Sequence, residues 1–152
     1  MHDLEGEGFN VDHVAVTPQG ILVIETKTRS KPMGRDARIV FDGERIIVDG
    51  LEPERDPLVQ ARAAASWVRQ KLNEGIGREF PVRPVIAFPG WFVDRTGEGR
   101  RSSVWVVEPK SIGGFLKREP ILLTDADISL IISALKAHVR TTGGTKQVSW
   151  TS

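Results

Sequence analysis

The chain has 152 residues, about the size of one domain, with 39% hydrophobic and 27% charged content, an ordinary globular balance that can bury its own core. It has no cysteine, which excludes disulfides, thiolate zinc sites and a cysteine nucleophile, and no apolar run near the ~18 residues of a membrane span. Its 21 basic and 20 acidic residues leave a net charge of +1, so any case for a polyanionic partner rests on local charge.

The first residues, MHDLEGEGF, are acidic and lack the pattern of a secretory or transit peptide, which points to a cytoplasmic protein. Residues 11–17, VDHVAVT, alternate as a strand does, and Ile21 to Ile24 form a β-branched run after the turn residues Pro18, Gln19 and Gly20. These predict a hairpin, and a Gln19-Gly20 turn would pair Pro18 with Ile21 and Asp12 with Lys27. A basic stretch follows: Lys27, Arg29, Lys31, Arg35 and Arg38 against a single acid, Asp36. Residues 37–41 and 45–49 flank Asp42-Gly43 and predict a second hairpin. Beyond the breakers between Gly50 and Pro57, apolar residues at Leu58, Ala61, Ala65, Val68 and Leu72 have helical spacing, with Gly75 placed to end the helix.

VRPVIAF (82–88) and SSVWVVE (102–108) read as strands, separated by a loop rich in Gly and charge between Asp94 and Arg101. Ser111 to Lys117 can form a short helix, and Thr124, Asp127, Ile128, Ile131, Ile132 and Leu135 mark a capped amphipathic one. The expectation is a mixed α/β fold: a sheet of about five to six strands with flanking helices, one domain over residues 1–140, and a polar, frayed tail over 141–152.

Residues two apart on a strand share a face, so Glu25 and Lys27 in IETK point the same way. With Asp12 on the neighbouring strand, two carboxylates and an amine would share one site. Carboxylate oxygens suit a hard cation, Mg²⁺ or Mn²⁺, whose coordination waters and a substrate phosphate complete. A lysine beside it could orient the attacking water or steady developing negative charge. A structural salt-bridge cluster is the plainer alternative. The basic residues Arg29, Lys31, Arg35 and Arg38, with Arg100 and Arg101 after a Gly-rich turn, are candidate phosphate contacts or simply solvated loops. Trp91, Phe92 and Trp105 are either stacking surfaces or core and rim.

The run NVDHVAVTPQGILVIETKT closely resembles the core motif of the nuclease-related domain family, within the PD-(D/E)XK or restriction-endonuclease-like superfamily. DPLVQA (56–61) and PVIAFPGW (84–91) also resemble that family, whereas the C-terminal third matches only loosely. The resemblance implies a restriction-endonuclease-like core and a Mg²⁺- or Mn²⁺-dependent nuclease acting on nucleic acid, DNA rather than RNA. It implies that Asp12 and Glu25 are metal carboxylates, Lys27 the catalytic lysine and Gln60 a helix-borne polar residue of the site. Strand alternation turns His13 to the opposite face, as a packed histidine. The helix that usually precedes the first motif strand looks short or missing, with Glu5 or Glu7 as possible substitutes for its acidic residue. Its loss could expose sheet surface and favour a homodimer. The alternative is a catalytically weak or inactive module that keeps the nuclease fold and binds nucleic acid or a partner.

Overall fold

The computed structural model describes residues 4–6, 9–11, 13–28, 38–50, 56–142 and 148–150, with side chains for 13–28, 38–50 and 56–137. In chain order the strands and helices are β1 (Leu4–Gly6), β2 (Phe9–Val11), β3 (His13–Thr17), β4 (Gly20–Thr26), β5 (Arg38–Phe41), β6 (Ile46–Val48), α1 (Pro57–Ile76), β7 (Val82–Ala87), β8 (Phe92–Arg95), β9 (Trp105–Val107), α2 (Ile112–Lys117), α3 (Asp125–Thr142) and β10 (Val148–Trp150). A central mixed sheet has the order β10-β3-β4-β7-β9, with β3 antiparallel to β4 and the other neighbours parallel. The fold is therefore α/β with a mixed sheet and flanking helices, as the resemblance implied. The described N-terminal residues form the short antiparallel pair β1 and β2, not a helix. The second hairpin does not join the central sheet. It makes a separate three-stranded sheet, β6-β5-β8, by taking β8 as a parallel partner.

The first hairpin forms two residues out of the expected register. Pro18 and Gln19 are the turn, Thr17 pairs with Gly20 and Val16 with Ile21. Proline suits the first central position of a turn, and the Thr17 hydroxyl closes it by donating to the Gly20 carbonyl at 2.7 Å. Gly20 has φ +139, and a Cβ there would lie 3.2 Å from the Pro81 carbonyl oxygen. A shift of two residues keeps every side chain on its original face, so the hydrophobic pattern survives the change.

Helix α1 starts where the sequence supplies a cap. The Asp56 carboxylate accepts from the Leu58 N–H at 2.9 Å, and Pro57 occupies the first turn, where its missing donor costs nothing. The helix runs through Gly75 and ends at Gly77, whose left-handed φ of 81 lets its N–H reach the Asn73 carbonyl at 2.7 Å. Helix α3 opens on a reciprocal box: the Thr124 N–H donates to the Asp127 carboxylate and the Asp127 N–H to the Thr124 hydroxyl, at 3.0 and 3.1 Å. The Arg78 guanidinium joins at 2.9 Å. The Thr124 N–H, then Arg78, hold the Asp127 carboxyl below its ordinary value. A depressed folded-state pKa means this contribution is complete above the ordinary carboxylate range and is lost as pH falls below it. Urea unfolding of wild type and Asp127→Ala at successive pH values should thus show a gap at neutral pH that closes in acid.

The core lies on both faces of the central sheet. On one, Val14, Val16, Ile21 and Val23 pack against Trp67, Val68 and Leu72 of α1 and Ile131 and Leu135 of α3. On the other, Leu22, Val85, Trp105 and Val107 lie against Ile112, Phe115 and Leu116 of α2. A third cluster joins the smaller sheet to the start of α1 and to Ile86 and Val106, through Ile39, Phe41, Leu58 and Ala61.

Candidate functional site

Strand β4 carries apolar residues from Ile21 to Ile24 and then changes character at Glu25. Alternation puts Glu25 on the face of Ile21 and Val23, the side that α1 covers, with Ile86 of β7 as its neighbour in register. The ladder continues one residue past the strand: the Lys27 N–H donates to the Ala87 carbonyl at 2.8 Å. Backbone bonding therefore fixes where the Lys27 side chain starts. Its ammonium lies 2.9 Å from the Glu25 carboxylate, with side-chain exposures of 31% and 24% for the lysine and glutamate. The pair is partly withdrawn from water yet open to a ligand.

The third member comes from α1. Gln60 lies in the first turn, where its N–H reaches the Asp56 carbonyl at 3.4 Å, and its side-chain oxygen accepts from the Lys27 ammonium at 3.4 Å. The Asp56 cap and the Pro57 start set the position of this turn. The cluster thus sits at the carboxyl ends of the parallel strands β4 and β7, beside the start of a helix, where open α/β sheets bind ligands.

Asp12 and Glu7 lie outside the described residues, as do Arg29, Lys31 and Arg35. The described β3–β4 ladder ends at His13 paired with Ile24, one residue short of Glu25. Glu5 lies on β1 opposite Asn10, and its side chain is outside the described set. His13 falls on the face opposite Glu25. Arg38 is exposed on β5, its guanidinium 5.4 Å from the centre of the exposed Phe92 ring. Arg100 and Arg101 diverge in their contacts: Arg100 donates to the Arg95 carbonyl at 3.0 Å, whereas Arg101 pairs with Glu98 at 3.2 Å. Trp91 and Trp105 are core residues, 2% and 7% exposed, and among the described residues the Trp91 indole N–H has no hydrogen-bond partner.

Among the described residues no three Asp, Glu or His side chains gather around one point. The donors present, the Glu25 carboxylate and the Gln60 amide oxygen, are hard oxygens. They fit Mg²⁺ or Mn²⁺, which needs only one or two protein carboxylates when water and phosphate complete the shell. No helix among the described residues is long and apolar enough to cross a membrane.

Comparison with curated proteins and with solved structures gives no match. The family model for the nuclease-related domain matches residues 1–89, which is more than half of the chain and includes Glu25, Lys27 and Gln60. The chain belongs to the nuclease-related domain family, of the PD-(D/E)XK kind.

Proposed function

We propose that this chain is a Mg²⁺- or Mn²⁺-dependent nuclease that hydrolyses DNA phosphodiester bonds in the cytoplasm. Asp12 and Glu25 supply the metal carboxylates, Lys27 is the catalytic lysine, and Gln60 positions it. The observation that carries this reading is the Lys27 ammonium held between the Glu25 and Gln60 oxygens, at 2.9 and 3.4 Å, at the carboxyl end of β4. A divalent ion there supplies charge neutralisation at the phosphoryl group.

The remaining work falls to the chain itself. The Lys27 ammonium, anchored through its own backbone to β7, is placed to donate hydrogen bonds to a phosphate oxygen as negative charge grows on it. Because Gln60 is fixed by a capped helix start, it restricts the ammonium without neutralising it. Arg29, Lys31, Arg35 and Arg38, with Arg100 and Arg101, hold the phosphate backbone, so binding should be weakly sequence-specific and should fall steeply with salt.

A second reading, a nucleic-acid-binding module without turnover, draws on the same 2.9 Å pair, in which ammonium and carboxylate satisfy one another. DNA cleavage separates the two. Supercoiled plasmid, single-stranded DNA and RNA are each incubated with Mg²⁺ or Mn²⁺ and with Lys27→Ala alongside. Cleavage of DNA by wild type alone supports the nuclease. Salt-sensitive binding without cleavage supports the module.

A further inference from the structure

On the opposite face of the central sheet, three arginines converge on a cavity of about 490 Å³. Arg95 ends β8 and is half-buried, with its guanidinium 4.2 Å from the centre of the Phe115 ring on α2. Phe115 meets Trp105 edge to face at 5.2 Å, and Arg83 covers the far end of this stack, 4.4 Å from the Trp105 ring. Stacking uses the flat face of a guanidinium and leaves its in-plane N–H donors available. Arg100, in the 3₁₀ turn Gly97–Arg100, is tied to the Arg95 carbonyl through Nε, and Arg118 closes α2.

None of Arg95, Arg100 and Arg118 has an ion-pair partner among the described residues. The acids on the cavity wall are Asp94 and Glu119, and the latter sits 3.9 Å from Arg83. Burial, and then the charges of Arg100 and Arg118, lower the pKa of Arg95. The cavity wall sets three arginines against two carboxylates, one of them shared with Arg83, and the excess positive charge costs free energy that a bound anion would recover.

We propose that this cavity is a phosphate site, in which Arg95, Arg100 and Arg118 hold the oxygens of one phosphate group. Three guanidinium forks provide more donors than a planar carboxylate can use, and they suit a tetrahedral oxyanion. The site lies beyond the residues matched by the family model; it shares Arg100 with the backbone contacts proposed above but does not depend on chemistry at Glu25 and Lys27. The phosphate could belong to a free phosphate compound or to a nucleic-acid backbone, which have the same chemistry at this point.

Calorimetry in EDTA, with pyrophosphate and with a short single-stranded DNA as probes, tests the site. At least one probe should bind, and Arg100→Ala and Arg118→Ala should each weaken it by about tenfold, because a hydrogen bond to a charged partner is lost. Binding of pyrophosphate identifies a free phosphate compound as sufficient, and binding of DNA alone identifies the backbone. Both arginines are exposed, so their variants should melt as wild type does. Lys110→Ala, which removes an exposed charge outside the cavity, should leave binding unchanged. The proposal is overturned if neither probe binds at millimolar concentration, if both arginine variants bind as wild type does, or if Lys110→Ala weakens binding equally.

Discussion

Replacing Glu25 by Gln should slow metal-dependent DNA cleavage by at least about a hundredfold, because a bound divalent ion contributes several kcal/mol and each 1.36 kcal/mol is tenfold in rate. The substitution keeps the shape of the side chain and removes only its charge. Stability should barely change, since a partly exposed ion pair is worth about 0–1 kcal/mol and the glutamate is 24% exposed. DNA binding without metal should be equal or slightly tighter, as one negative charge facing the phosphates is lost. Single-turnover cleavage, a melting curve and a binding titration on the same sample distinguish a site defect from a folding defect. Wild-type cleavage by this variant would remove Glu25 from the mechanism.

Phe41→Ala should be the most destabilising of the substitutions considered, at about 3–5 kcal/mol for loss of a buried aromatic ring. Phe41 is 0% exposed in the cluster that joins the smaller sheet to Leu58, Ala61 and Ile86. Its backbone pairs with Ile46 and Arg95, and its carbonyl accepts from the Thr96 N–H at 2.9 Å. Those bonds survive substitution, so the loss measures side-chain packing. Against a total stability of roughly 5–15 kcal/mol the effect is large, and at about 2–4 °C per kcal/mol the melting temperature should fall by roughly 10 °C. Ile86 also neighbours Glu25 in register. Cleavage by this variant should therefore fall more at 37 °C than at 15 °C. A loss below about 1 kcal/mol in urea unfolding would mean that the cluster collapses to fill the void.

Local signals made the candidate site largely readable from sequence. The IETK alternation placed Glu25 and Lys27 on one face. The apolar spacing from Leu58 placed α1, whereas the Asp56 cap and the Pro57 start that set the turn carrying Gln60 emerged from the structure. The proximity of Gln60 to Lys27 came only from the family resemblance, because no local pattern links two residues brought together by packing. The hairpin register is not legible for a similar reason: Gly20 is held by its approach to Pro81, a contact the turn residues do not reveal. Strand β8 is not legible in the sequence because Asp94 and Arg95 break its alternation, and it pairs with β5 rather than with a sequence neighbour. The arginine cluster had no sequence signature beyond Arg100, since Arg95 and Arg118 converge only once α2 covers the sheet.

The central claim is best tested by incubating supercoiled plasmid with wild type and with Lys27→Ala, each in Mg²⁺ and in EDTA. Nicking that occurs only for wild type in Mg²⁺ is the predicted result. No nicking by wild type with Mg²⁺ or Mn²⁺, or equal nicking by Lys27→Ala, would contradict it.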